Sequence, residues 1–226
     1  MKFVTIFLAI ALLTLGVLAQ QQPKPLAVST DQPVANDDRG KAFILTRELR
    51  PLSDFGRLRK SSISEPQQFS IFAGKDWATT LHTREPQLQN LLANVTSEAD
   101  LAALDETGIK NRFGPAFSVE RLDVGPGSLS DLDTQRLLTS MMAEGELPRP
   151  SARTIVVIFL DANVQSTLGS LAGGKHYAAY HSAFNFDGVK IRYVVAPYES
   201  DPATGYQIAL RAFVAAVLKL SQPIAK

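Results

Sequence analysis

The stretch Thr154-Ile155-Val156-Val157-Ile158-Phe159-Leu160 decides the fold. A strand with one wet face alternates apolar and polar residues. This one does not alternate, so both faces need cover, which places it inside a sheet with layers packed on either side. Ile191 to Ala196 is a second such strand, and Asp187-Gly188 offers the turn that pairs it with Ala183-Phe184-Asn185-Phe186. Upstream, Phe69-Ser70-Ile71-Phe72 makes a short strand ended by Gly74, and Ala116 to Leu122 alternates enough for another.

Helices fill the intervals. Asp76 caps a helix with Trp77 and Leu81 on one face, Pro86 suits the first turn of the next, and Leu88, Leu91, Leu92 and Val95 repeat at helical spacing. Ser97 with Asp100 resembles a capping box, with Gly108 as the stop. Ser130 caps a helix bearing Leu137, Leu138, Met141 and Met142 that Gly145 closes, and Leu210, Phe213, Val214, Val217 and Leu218 form the stripe of a last helix. Strands alternating with helices predict an α/β fold over residues 67–226, a single-domain sandwich with a mixed, largely parallel sheet flanked by helices.

Two segments of different character precede it. Residues 1–19 have the form of a secretory signal peptide: Lys2, an apolar run from Phe3 to Leu18, and the small residue Ala19 at the cleavage position. The run falls short of the ~20 apolar residues of a membrane span, and polar Gln20-Gln21-Gln22 follow at once. Residues 20–66 are punctuated by Pro23, Pro25, Pro33, Pro51 and Pro66 and are expected to be a polar, Pro-rich arm or linker with one short ordered piece at Ala42 to Leu45. A fragment starting near Lys60 or Ser61 is then expected to hold the core by itself.

Composition narrows the function. The chain has 23 Lys and Arg against 22 Asp and Glu, and loss of Lys2 with the signal leaves the exported part balanced, without the basic surface that nucleic acid requires. No later stretch is apolar enough to span a bilayer, so the cleaved chain is not expected to be an integral membrane protein. There is no cysteine, which excludes disulfides, thiolate metal sites and cysteine nucleophiles. The expected location is secreted or periplasmic.

Candidate chemistry concentrates in Gly169–Phe186, GSLAGGKHYAAYHSAFNF. Tyrosine rings offer flat apolar faces with a polar tip. His176, Tyr177, Tyr180 and Ser182 are therefore ligand-binding candidates, for a cell-wall or extracellular glycan or a small molecule. Asp161 directly follows the central strand, where α/β folds place their sites, and with His181 it makes a candidate general acid–base pair. The plainer alternative is that Asp161 caps a loop and the histidines order one. His176 and His181 lie on opposite faces of a strand or about 140° apart on a helix, so only an irregular loop would bring both to a metal with Asp161 or Asp187; no metal and no cofactor are assigned. Gly169, Gly174 and Lys175 have phosphate-loop spacing, but His176 stands where that motif needs Ser or Thr. G-x-S-x-G is absent, which weakens Ser170 and Ser182 as nucleophiles. Asn94-Val95-Thr96 is a glycosylation sequon.

Four stretches, Ile71-Phe72-Ala73-Gly74-Lys75-Asp76-Trp77, Ile155 to Leu160, Tyr180-His181-Ser182 with Tyr193-Val194-Val195, and Gly205 to Phe213, occur in an order that resembles the EXORDIUM/phosphate-induced family of secreted plant proteins and their microbial relatives. The resemblance covers roughly residues 67–223. It implies an extracellular, wall-associated growth or nutrient-response protein without an established catalytic activity. The family's histidine loop carries cysteines and this chain has none, so no shared disulfide framework is implied.

The expected function is thus non-catalytic binding by an exported protein through the Gly169–Phe186 segment, with a hydrolase using Asp161 and His181 as the alternative. Expressed in a secreting host, the chain should be released with Gln20 at its N-terminus. Intact-mass measurement and N-terminal sequencing check this, and a membrane-bound product retaining Met1 would contradict it.

Overall fold

The computed structural model describes residues 42–58, 61, 63–110 and 112–219. The expected signal peptide and the start of the expected arm, residues 20–41, lie outside them. With elements numbered in chain order, the main sheet runs β1 (Phe43–Leu45), β8 (Ala179–Phe186), β9 (Val189–Ala196), β5 (Thr154–Leu160), β2 (Gln67–Ala73), β3 (Ala116–Arg121). The ladders from β9 through β5 and β2 to β3 are parallel, and β8 and β1 join antiparallel. All seven residues of β5 are buried, as an unbroken apolar run requires.

Two core layers form on the two faces of β5. Ile155, Val157 and Phe159 enter one, under helices α1 (Leu52–Leu58), α3 (Glu98–Thr107) and α5 (Pro202–Val217). Val156, Ile158 and Leu160 enter the other, under α4 (Asp131–Glu144) and a second sheet of β4 (Gly127–Ser130), β6 (Val164–Leu168) and β7 (Leu171–Ala172). This is the α/β sandwich expected from the pattern. The cap readings at Ser97, Ser130, Gly108 and Gly145 hold: Ser97 accepts from the Asp100 N–H, Ser130 and Asp133 form a reciprocal capping box, and Gly108 and Gly145 close their helices in the left-handed region. Asp76 does not cap: it lies inside a 3-10 turn that begins after Gly74 without a side-chain cap. The hairpin turn of β8 and β9 places Asp187 and Gly188 at φ 48° and 76°, the left-handed pair that a two-residue turn needs.

The expected helices over Asp76–Val95 shrink to two 3-10 turns, Lys75–Ala78 and His82–Arg84, and one helical turn, α2 (Glu85–Leu88). The leucines are buried as their spacing demands, but a side chain replaces the missing helical hydrogen bonds. Buried Gln68 on β2 accepts from the Leu91 N–H at 2.8 Å and donates to the Leu88 carbonyl at 2.5 Å. Asn94 donates to the Pro86, Gln87 and Asn90 carbonyls, so its amide closes this turn.

The arm reading needs correction over its described part. Phe43, Ile44 and Leu45 form the edge strand β1, in register with His181, Tyr180 and Ala179. Phe43, Leu45, Leu52, Phe55 and Ile63 are buried in the same core layer as β5 and α5. Prolines at 51 and 66 bound these pieces rather than prevent them, because Pro51 lies just before α1 and Pro66 just before β2. Burying Phe43, Leu45, Leu52 and Phe55 contributes roughly 1.5–3 kcal/mol each, a sum comparable to the whole stability of a domain, about 5–15 kcal/mol. A chain starting at Ser61 should therefore lack a cooperative thermal transition that a chain starting at Ala35 retains. Circular dichroism melts of the two compare them directly, and equal melting temperatures would refute this account of β1 and α1.

Candidate functional site

The carboxyl ends of the parallel strands meet at one edge. From β2 the chain passes to β3 on one side, and from β5 it passes on to β9 on the other, so the crevice between β2 and β5 is the topological switch point where such folds bind ligands. Here a clasp fills it. Asp161, 1% exposed, accepts from the Asp76 N–H at 3.1 Å and the Asn163 N–H at 2.9 Å, while its own N–H donates to the Ala73 carbonyl at 3.0 Å. Gly74 sits against the carboxylate with φ 116°, and a Cβ there would lie 2.2 Å from the Asp161 Cγ. Asn163 also donates to Asp76 Oδ2 at 3.0 Å. Asp161 thus orders the two loops, the plainer of its two readings.

His181 is elsewhere. It pairs with Val194 on β9, which pairs with Val157 on β5. Two strand spacings and four residues along the sheet separate it from Asp161, roughly 16 Å between Cα atoms. The expected acid–base pair is not formed. His181 is buried beside Phe43, the rings stacked at 5.1 Å, so the imidazole belongs to the seam between β1 and β8.

The Gly169–Phe186 segment is strand over more of its length than the Ala183–Phe186 expected. Its second half is strand β8, and its rings face inward. Tyr177, Tyr180 and Tyr193 are all fully buried, meeting edge to face at 5.7 and 6.4 Å. The Tyr177 hydroxyl shares a 2.7 Å hydrogen bond with Ser166, and the Tyr193 hydroxyl donates to Asp131 Oδ1 at 2.6 Å and accepts from Gln135 at 3.1 Å. Burial, then the negative charge of Asp131, pushes the Tyr180 and Tyr193 hydroxyls well above the usual phenol range. Ser182 lies buried beside Tyr193 in the register. His176 is exposed, and its Nδ1 accepts from the Ala172 N–H at 2.9 Å, closing the turn before β8. The three tyrosine rings offer no face to solvent. They build the second core layer.

A shallow cleft opens instead just beyond the clasp, over the ends of β5 and β9 and the first turn of α5. Its walls include Trp77, Phe159, Tyr198, Tyr206 and Pro202, with Arg84 and Glu199 as charged members. Arg84 donates to the Glu199 and Ser200 carbonyls at 2.8 Å each and lies 5.6 Å over the Tyr198 ring, so the guanidinium sets the shape of the β9–α5 connection. Arg47, just after β1, pairs with Glu199 Oε2 at 3.1 Å and donates to the Gly174 carbonyl. The Tyr206 hydroxyl donates to the Leu91 carbonyl at 2.9 Å, and burial pushes it up to about 12. In the sequence, Trp77 and Tyr206 stand only within a helix pattern and the family-like stretches. The cleft needs the fold to join residues 77–88 with 196–206, and no local spacing announces that.

No family model, curated protein or solved structure matches the chain. Since Asp161 holds two backbone donors in a buried place, Asp161→Ala should destabilise the fold by about 2–4 kcal/mol in urea unfolding. Asp161→Asn should lose less, keeping one acceptor. An Asp161→Ala variant as stable as the parent would overturn the clasp.

Proposed function

We propose that this is an exported, non-catalytic binding protein that takes a small, sugar-sized ligand in the cleft lined by Trp77, Tyr198 and Tyr206. The observation that carries this reading is the pairing of aromatic and apolar walls with charged groups already committed elsewhere. Aromatic faces suit the C–H faces of a saccharide ring, and the cleft is open to solvent on one side. Arg84 holds loop carbonyls, Glu199 is ion-paired with Arg47, and the phenol of Tyr206 is pushed too high to exchange a proton near neutral pH. General acid–base chemistry needs a group free to exchange a proton with substrate, whereas these lining groups are held in the contacts just named. Membership in the EXORDIUM family is part of the same proposal, on the four stretches that carry the resemblance.

Trp77 is the only tryptophan of the chain, so it reports on the cleft directly. Cell-wall oligosaccharides titrated into the protein should change its fluorescence saturably. Tyr198→Ala should weaken binding by about tenfold, or 1.4 kcal/mol, while Tyr180→Phe should leave it unchanged. A flat titration across the panel, or equal affinity in Tyr198→Ala, would refute the site.

A further inference from the structure

The segment that lines the cleft with Arg84 has a second face. His82 and Glu85, three residues apart across the 3-10 turn and the start of α2, project to one side, an eclipsed spacing in tight helical turns. On β3, Phe117 and Val119 pack into the second core layer, which sends Glu120 to the opposite face of the sheet. The result is a three-residue cluster whose nearest donor atoms all lie within 4.8 Å of one another. His82 Nδ1 stands 3.7 Å from Glu85 Oε2 and 3.9 Å from Glu120 Oε1.

Those separations are too long for good hydrogen bonds. They are close to the ~3.4 Å that separates donors around a tetrahedral ion with bonds of ~2.1 Å. A second observation is independent of the clustering. Glu85 is only 5% exposed, and its Oε1 is buried with no hydrogen-bond partner. A buried carboxylate oxygen left unpaired is costly, and a cation would repay it.

We propose that His82, Glu85 and Glu120 bind a divalent first-row transition-metal ion, pinning the turn at residues 82–85 to the edge strand β3. One imidazole nitrogen with two carboxylate oxygens suits zinc or manganese better than calcium or magnesium, whose sites favour oxygen alone. The His82 side chain is 65% exposed, so water reaches the ion and completes its coordination. The site stands apart from the ligand cleft and from the Gly169–Phe186 histidines. The sequence hid it because Glu120 is remote in the chain and only β3 brings it in.

The test uses the full exported chain, stripped with a chelator and titrated calorimetrically with Zn²⁺, Mn²⁺ and Mg²⁺. Zn²⁺ should bind at one equivalent per chain, with Mg²⁺ at least about a hundredfold weaker. His82→Ala and Glu120→Gln, both at solvent-accessible positions, should each weaken Zn²⁺ by about tenfold or more, and His176→Ala should not. Zn²⁺ should raise the melting temperature of the parent and of His176→Ala only. Absence of binding at micromolar Zn²⁺, or identical isotherms for the parent, His82→Ala and Glu120→Gln, would overturn the site. Loss of binding in His176→Ala would overturn it equally.

Discussion

A strand with seven buried residues and no polar face cannot stand at an edge or on a surface, and β5 imposes that constraint on everything around it. Both faces must be covered, so the chain supplies helices α1, α3 and α5 to one and α4 with a small second sheet to the other. Both edges must be paired, and β2 and β9 do so in parallel, which puts the carboxyl ends of three strands side by side. Loops that leave those ends are then crowded together, and the crowding is what creates both the Asp161 clasp and the cleft beside it.

Much of this was legible because it is written at short range. The run at 154–160, the Asp187-Gly188 turn, the Ser130 box and the Gly108 and Gly145 stops each specify structure within a few residues. Elements whose existence depends on distant partners were not. β1 is three residues long and is a strand only because β8 offers an edge and α5 offers cover, so the sequence marks a short ordered piece at Ala42 to Leu45 but not its place in the core. The strand legible at Ala183–Phe186 begins earlier, at Ala179, because the polar residues there mask it; Tyr180, Ser182 and Phe184 turn to one core layer, and His181 turns to the other. The helix expected across Leu88–Val95 fails for a tertiary reason, since Gln68 from β2 takes the backbone groups at Leu88 and Leu91.

The same distinction governs the site. Position after the central strand correctly drew attention to Asp161, yet the carboxylate there serves two buried N–H groups and a close-packed glycine. Aromatic density drew attention to Tyr177 and Tyr180, yet density of rings in a buried segment means core. The cleft residues Trp77, Arg84, Tyr198 and Tyr206 come from two regions more than a hundred positions apart and share no motif: Arg84 and Tyr198 are part-exposed at the cleft's mouth, and buried Trp77 and Tyr206 form its floor. Arginines tie those regions: Arg84 reaches the β9–α5 connection, and Arg47 reaches it from the end of β1. Edge strand, cleft wall and helix start are therefore mechanically joined.

The central claim is that ligand recognition belongs to the carboxyl end of the sheet and not to the Gly169–Phe186 segment. Backbone and indole chemical-shift mapping of the chain from Gln20 onward against cell-wall oligosaccharides tests it most directly. The account predicts saturable shifts at the Trp77 indole, at Tyr198 and Glu199, and in the first turn of α5, with Tyr177 to Ser182 unmoved. Shifts centred on residues 169–186 with the cleft silent would contradict it.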